Sequence, residues 1–243
     1  YKHGVALERA KKTVPAHPIA NLPALGAGTQ PEWLGKKVLA AAGVTIPPGD
    51  LARSVEEAVA IAERIGFPVA MKAQAAKLAH KTEAGGVLLN IADAAGVREA
   101  WRKLYDNVKA YDASIALDGV LIEVMSKRGL EMVVGAKRDP RWGPVIVAGI
   151  GGVLIEAIGD VRLMPADLSE EAIIGELLKL KTAKLLKGFR GAPPSDLQAI
   201  AKVAVAVANL MRNNPDIMEI DVNPLMVYGE GASALDALIV TKQ

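Results

Sequence analysis

Apolar residues fall at helical spacing in five stretches of the chain, and between them they gather into short strand-like runs. Leu34, Val38, Leu39 and Ala42 predict a helix from Glu32 to Ala42 ending at Gly43, followed by a short extended exit, Val44-Thr45-Ile46-Pro47-Pro48. Ser54 and Glu57 form a capping-box pair, Val59, Ile61, Ala62 and Ile65 follow, and Gly66 closes this second helix. Val97, Ala100, Trp101, Leu104 and Val108 predict a third helix, Glu170 to Leu180 a fourth, and Leu197, Ile200, Val203, Val207 and Leu210 a fifth over Asp196 to Arg212. The strand-like runs are Pro68 to Ala73, Val87 to Leu89, Gly119 to Met125, Leu130 to Ala136 and Val145 to Ala148. Three more close the chain: Ile217 to Val222, Leu225 to Tyr228 and Ala234 to Val240.

Helices mixed with hairpin-linked strands predict an α+β fold rather than one parallel sheet. Residues 1–31 carry Pro15, Pro18, Pro23, Gly26, Gly28 and Pro31 and read as a linker or covering arm; the compact part is expected over 32–243. The start at Tyr1 rather than Met points to a fragment or a trimmed chain.

Composition narrows the chemistry. With 243 residues, 51% of them hydrophobic, the chain is long enough to bury one large or two small cores. Lys+Arg 29 against Asp+Glu 27 leaves a net charge of +2, no field for a nucleic acid, so any anion site must be local. Zero cysteines exclude disulfides, thiol catalysis and Cys-ligated zinc and suit the cytoplasm, and three histidines leave little for a His-based metal site. No apolar stretch of about 20 residues predicts a membrane span, and the first thirty residues lack a signal-peptide core.

Four places stand out as candidate chemistry. Glu219, Asp221 and Asn223 alternate in Glu219-Ile220-Asp221-Val222-Asn223-Pro224, so a strand would put them on one face, and a hairpin return could bring Asp236 beside them. Such an oxygen set suits Mg²⁺, which takes one or two protein carboxylates and fills its shell from phosphates, although an acidic edge strand has the same pattern. Lys72 interrupts the apolar run Val69-Ala70-Met71-Lys72-Ala73 and must find solvent or an anion. His80, in His80-Lys81-Thr82-Glu83-Ala84-Gly85-Gly86-Val87, shares a loop with paired glycines that allow close backbone approach to a phosphate; its imidazole is a candidate phosphate carrier or an incidental loop histidine. Glu123 and Glu131, on successive strands, are candidates for the base and sugar of a nucleotide or for plain surface.

In order along the chain, Ala70-Met71-Lys72-Ala73, the His80–Val87 segment, Glu123-Val124-Met125, Gly149-Ile150-Gly151-Gly152, Gly188-Phe189-Arg190-Gly191 before Pro193-Pro194, and Glu219 to Leu225 resemble one family. It is the ATP-grasp domain of the ADP-forming acyl-CoA synthetases, which include acetate–CoA ligase (ADP-forming) and are related to the β subunit of succinyl-CoA synthetase. The resemblance implies an ATP-grasp fold with two α+β lobes clamping a nucleotide, a small lobe at about 53–124 and a large lobe at about 32–52 plus 125–243. It implies ATP or ADP with Mg²⁺ as cofactors. Lys72 would contact the phosphates, the backbone at Gly85, Gly86 and Val87 would cover them, and Glu123, Val124, Met125 and Ser126 would form the hinge beside adenine. Glu131 would contact ribose, and Asn223 and Asp236, with Asp221 adjacent, would hold the metal.

The resemblance gives His80 a catalytic role: it would receive a phosphoryl group from a histidine of the CoA-ligase portion and pass it to ADP. Succinyl-CoA synthetases lack this second histidine. The implied reaction, acyl-CoA plus ADP and phosphate to acid, CoA and ATP, would be reversible. This chain would supply only its nucleotide half, working with a ligase subunit or fused upstream domains as a hetero-oligomer or a homodimer of a fused chain. Gln74 to Ala79 lacks the proline and acid that often precede the histidine. Two other readings are a non-catalytic ATP-binding domain of a synthetase-like acyltransferase and an ATP-grasp carboxylate–amine ligase, which would not require His80.

Overall fold

Two hydrophobic cores form around two antiparallel sheets, and the chain divides accordingly. The structure, a computed structural model, describes residues 13–78, 81–152, 159–189 and 191–243. The larger unit takes the chain up to Gln30, Leu34–Ile46 and Arg128–Gln243; the smaller takes Pro31–Trp33 and Pro47–Lys127. Among the described residues no helix is long and apolar enough to cross a membrane.

The smaller unit pairs β2 (Gly49–Ala52), β5 (Gly119–Val124), β3 (Val69–Gln74) and β4 (Val87–Ile91) in that order. Helix α2 (Val55–Ile65) starts where Ser54 accepts a hydrogen bond from the Glu57 amide, and α3 (Ala94–Tyr111) where Asp93 accepts from Gly96, each side chain satisfying an otherwise orphaned helix donor. The apolar stripes of both helices, Ala58, Val59 and Ala62 with Val97, Ala100 and Leu104, cover Val69, Met71, Val120 and Ile122 of the sheet. Val44–Pro48, expected to be extended, forms no strand, because Pro47 and Pro48 have no N–H to donate. Pairing starts one residue later, at Gly49, where a side-chain carbon would lie 2.2 Å from the Ile122 carbonyl.

The larger unit builds the sheet β1 (Thr29–Gln30), β11 (Leu238–Thr241), β9 (Ile217–Val227), β6 (Leu130–Asp139), β7 (Gly143–Ile150) and β8 (Val161–Pro165), with β10 (Ala232–Ala234) on the end of β9. Its core gathers Val38 and Leu39 of α1 (Glu32–Ala41), Ile173 and Leu177 of α4 (Glu170–Leu177), Leu186 of α5 (Ala183–Leu186) and Ile200, Ala204 and Val207 of α6 (Leu197–Asn213). Glu32 and Trp33, the first residues of α1, belong to the smaller unit. The arm before α1 lies on this core: Ile19, Leu22 and Leu25 pack against it, and the His17 amide donates to Asn209 of α6.

Strand boundaries differ from expectation in several places, and β1 and β2 were not predicted. Ile217–Val222 and Leu225–Tyr228 are one strand, β9, which runs through Asn223-Pro224 where its register against β6 shifts; a proline that cannot donate is tolerated at such an irregularity. Ala234–Val240 divides into β10 and β11 around Asp236, whose Oδ1 accepts from the next amide, Ala237, at 2.7 Å and takes it out of the ladder. The edge strand β8 was not predicted.

Candidate functional site

The alternation of β3 points Val69, Met71 and Ala73 into core and puts Ala70, Lys72 and Gln74 on the other face. On that face β5 brings Glu123, paired in register with Ala70, diagonally beside Lys72. Lys72 Nζ donates to Glu32 Oε1 at 2.8 Å and lies 3.1 Å from Glu123 Oε2. The ammonium is therefore held by two carboxylates, both nearly sealed from water, rather than extended into solvent.

Residues 75–86 connect β3 to β4. Leu78 and Ala84 anchor this loop by packing with Ala73 and Val108. The Gly86 amide donates to the Lys81 carbonyl at 2.7 Å and the Gly85 amide to Thr82 at 3.1 Å, so both are used in closing the turn. Gly85 has φ 63°, and a side-chain carbon there would meet the Asn107 amide nitrogen at 2.7 Å, which is why the turn requires glycine. Val87 pairs with Lys72 in register. His80 lies outside the described residues. Val124 and Met125 donate their amides to Pro48 and Pro68, and with Ser126 they end the smaller unit just before its boundary at Lys127.

In the larger unit, Glu219, Asp221 and Asn223 lie on the face of β9 opposite the buried Ile220 and Val222. Leu238 pairs with Asp221, and the Leu235 amide donates to Pro224, so the register continues and brings Asp236 level with Asn223. Burial, then the neighbouring Glu219 and Asp236 charges, push the Asp221 carboxyl up to about 6. An oxygen-only set in which one acid resists ionisation beside two others fits a hard cation, whose charge would reverse that penalty. Among the described residues no group of three or more His, Cys, Asp or Glu side chains could hold a metal, so the Asn223 amide would have to act with the two aspartates.

Glu131 projects from β6 against a glycine turn. A side-chain carbon at Gly152 would lie 2.6 Å from its Oε2, and one at Gly149 would lie 2.5 Å from the Asp160 carbonyl. The Gly149-Ile150-Gly151-Gly152 run is thus explained by close approach. Gly188 is similarly confined by Ala192 and Pro194, whereas Glu156 and Arg190 lie outside the described residues.

Sequence reasoning missed Glu32 and Gln74 and gave Lys81 no role of its own. Glu32 looked like an ordinary acidic helix start, and its pairing with residues 40 and more positions away leaves no local signal.

Comparison with known proteins decides the family. The ATP-grasp domain family matches residues 24–241. The chain belongs to the ATP-grasp family, within the ADP-forming acyl-CoA synthetases. It is 37% identical over 205 residues to the β subunit of the ADP-forming acetate–CoA ligase I of Pyrococcus furiosus, covering 84% of this chain and 88% of that one. It is 50% identical over 218 residues to the trans-feruloyl-CoA synthase FCS1 of an unknown prokaryotic organism, covering 89% of this chain and 31% of that protein. The chain thus spans about a third of the first curated relatives it matches and nearly all of a free-standing β subunit. Among solved structures, the Ca. Korarchaeum cryptofilum dinucleotide-forming acetyl-coenzyme A synthetase 1, in complex with coenzyme A, Ca-AMPCP and HgCl⁺, superposes with a TM-score of 0.87 at 31% identity, covering 100% of both chains. The same enzyme in complex with coenzyme A and Mg-AMPPCP gives 0.73 at 30% identity, covering 99% of this chain and 98% of that one. In that structure the phosphohistidine segment points towards the nucleotide-binding site. The α+β class and ATP-grasp fold expected from the motifs are those of the family.

Proposed function

We propose that this chain is the nucleotide half of an ADP-forming acyl-CoA synthetase, passing phosphate between a phosphohistidine and ADP. The single observation that carries this is the near-complete alignment with a β subunit of that activity. ATP or ADP is the nucleotide and Mg²⁺ its counterion, as the ligands of the Korarchaeum enzyme support. The remaining catalytic domains, including the one carrying the first phosphohistidine, are a partner subunit or a fused stretch, and the complex works in the cytoplasm. Residues 32–243 form the ATP-grasp domain, with a small lobe at about 53–124 and a large lobe at about 32–52 plus 125–243.

The residues take distinct roles in this reading. Lys72 neutralises transferring phosphate, Glu131 binds ribose, and Glu123 to Ser126 line the base. The Val87 backbone and the turn at Gly85 and Gly86 shape the phosphate loop, while His80 carries the phosphoryl group. Asn223 and Asp236, with Asp221, hold Mg²⁺; when bound, the ion offsets negative charge on the phosphates. The chain's own groups bind and orient the nucleotide and keep the labile phosphohistidine from water.

Calorimetric titration with Mg-ATP tests the nucleotide reading. Binding is expected for the chain as it stands and is expected to weaken by roughly a hundredfold in Lys72→Ala, the loss of a charge-assisted phosphate contact. Equal affinity of the two proteins would overturn the assignment of Lys72. A carboxylate–amine ligase would bind the same nucleotide but leave His80 unphosphorylated.

A further inference from the structure

Glu32 divides its two carboxylate oxygens between two lysines. Oε1 accepts from Lys72 Nζ at 2.8 Å, and Oε2 lies 2.9 Å from Lys81 Nζ. The carboxylate is 1% exposed and the lysines 11% and 14%, so these charges hold one another with little help from water. Glu32 is itself fixed. It occupies the first turn of α1, where the helix end favours an anion, and Gln74 Nε2 donates to its Oε2 at 3.3 Å. Gln74 is buried and anchored in turn, its Oε1 accepting from the Trp33 amide at 3.1 Å. Glu123 Oε2 lies on the far side of Lys72 at 3.1 Å.

Lys81 directly follows His80 in the chain, and its carbonyl accepts the Gly86 amide. Lys81 is therefore tied twice, through its carbonyl to the glycine turn and through its side chain to Glu32.

We propose that Glu32 is a positioning residue for phosphoryl transfer: one carboxylate sets both the phosphate-binding ammonium of Lys72 and, through Lys81, the backbone that follows His80. The proposal rests on the reading of Lys72 as the phosphate contact. Glu32 touches no reacting atom. It fixes where two cations stand before a phosphate arrives, and an incoming phosphate shares those cations with it. Removing its charge frees the cations for ATP but lets them wander, so binding and transfer should move in opposite directions.

Two readouts on the full chain test this. The first is acetylation of Lys72 and Lys81 by acetic anhydride, followed by mass spectrometry without nucleotide. Glu32→Gln should raise the reactivity of both lysines by roughly threefold or more, because an ammonium that loses its carboxylate deprotonates more easily. The second is single-turnover labelling of the chain by γ-labelled Mg-ATP. Glu32→Gln should bind ATP as tightly as the parent or tighter, yet label at least about tenfold more slowly; Glu32→Asp, which keeps the charge, should recover part of the rate. Unchanged lysine reactivity with an unchanged labelling rate would overturn the proposal. So would a fall in affinity proportionate to the fall in rate, which marks a general loss of structure. Lys72→Ala separates the two claims. If it binds ATP normally, the nucleotide reading fails and the proposal fails with it; if it loses ATP while Glu32→Gln behaves as the parent, only the proposal fails.

Discussion

Around Lys72 in the smaller unit lysines and glutamates interleave, whereas around Asp221 on β9 of the larger unit acids gather, with Lys137 reaching only Glu219, at 3.5 Å. Around Lys72 two lysines meet two glutamates at 2.8 to 3.1 Å. Around Asp221 the neighbouring charges that matter are those of Glu219 and Asp236, and the carboxyl rises to about 6. A balanced, buried set is rigid and admits an anion only by sharing its cations. An acid-rich, half-buried set holds Asp221 back from ionising. On the proposed reading, the first set would meet phosphate and the second a metal, by opposite means.

The largest effect should come from unbalancing the first set. Lys72→Met leaves Glu32 and Glu123 buried beside each other, and chemical denaturation should show a loss of about 3 kcal/mol, the usual result of removing one partner from a buried pair. A loss no larger than that of a surface lysine would erase the contrast between the regions. Next, Asn223→Ala and Asp236→Ala should each weaken Mg-ATP binding by roughly tenfold while leaving metal-free ATP binding unchanged, since the ion loses one of few protein ligands. Equal losses with and without Mg²⁺ would mean that β9 reads the nucleotide rather than the metal. Gly85→Ala should then cost about 1 kcal/mol, from its positive φ and the Asn107 contact, with the loss confined to the smaller unit's exchange-protected amides.

The smallest expected effect depends on pH. Below about 4 Asp221 is protonated in both folded and unfolded chains, so it exerts no penalty. As pH rises through about 6 the folded chain must ionise it beside Glu219 and Asp236, and stability falls. Asp221→Asn should therefore raise the melting temperature at pH 8 in metal-free buffer by on the order of 2–4 °C, with the gain vanishing near pH 4. A gain independent of pH would show that charge crowding is not its cause.

How much of this was legible in the sequence follows from range. The capped start of α2 was readable because a cap spans three residues, and the β9 face because strand alternation spans two, whereas the Asp93 cap that starts α3 went unread. The continuity of β9 through Pro224 was not, since it depends on a register shift against β6 that proline's local rules do not encode. Lys72 was read as needing solvent or an anion, but its protein partners lie 40 and 51 residues away, and only the fold brings Glu32 and Glu123 to it. The paired glycines after Ala84 were read as leaving room for a ligand; the structure shows Gly85 making room for Asn107, a packing demand with no local trace.

The most direct test of the central claim is transfer of phosphate to His80. The chain is incubated with γ-labelled Mg-ATP and the protein-bound label is followed through acid and base, beside a His80→Asn variant. The account predicts an acid-labile, base-stable phosphoprotein that the variant does not form. Label that persists in His80→Asn, or a chain that binds Mg-ATP but never becomes labelled, would contradict it.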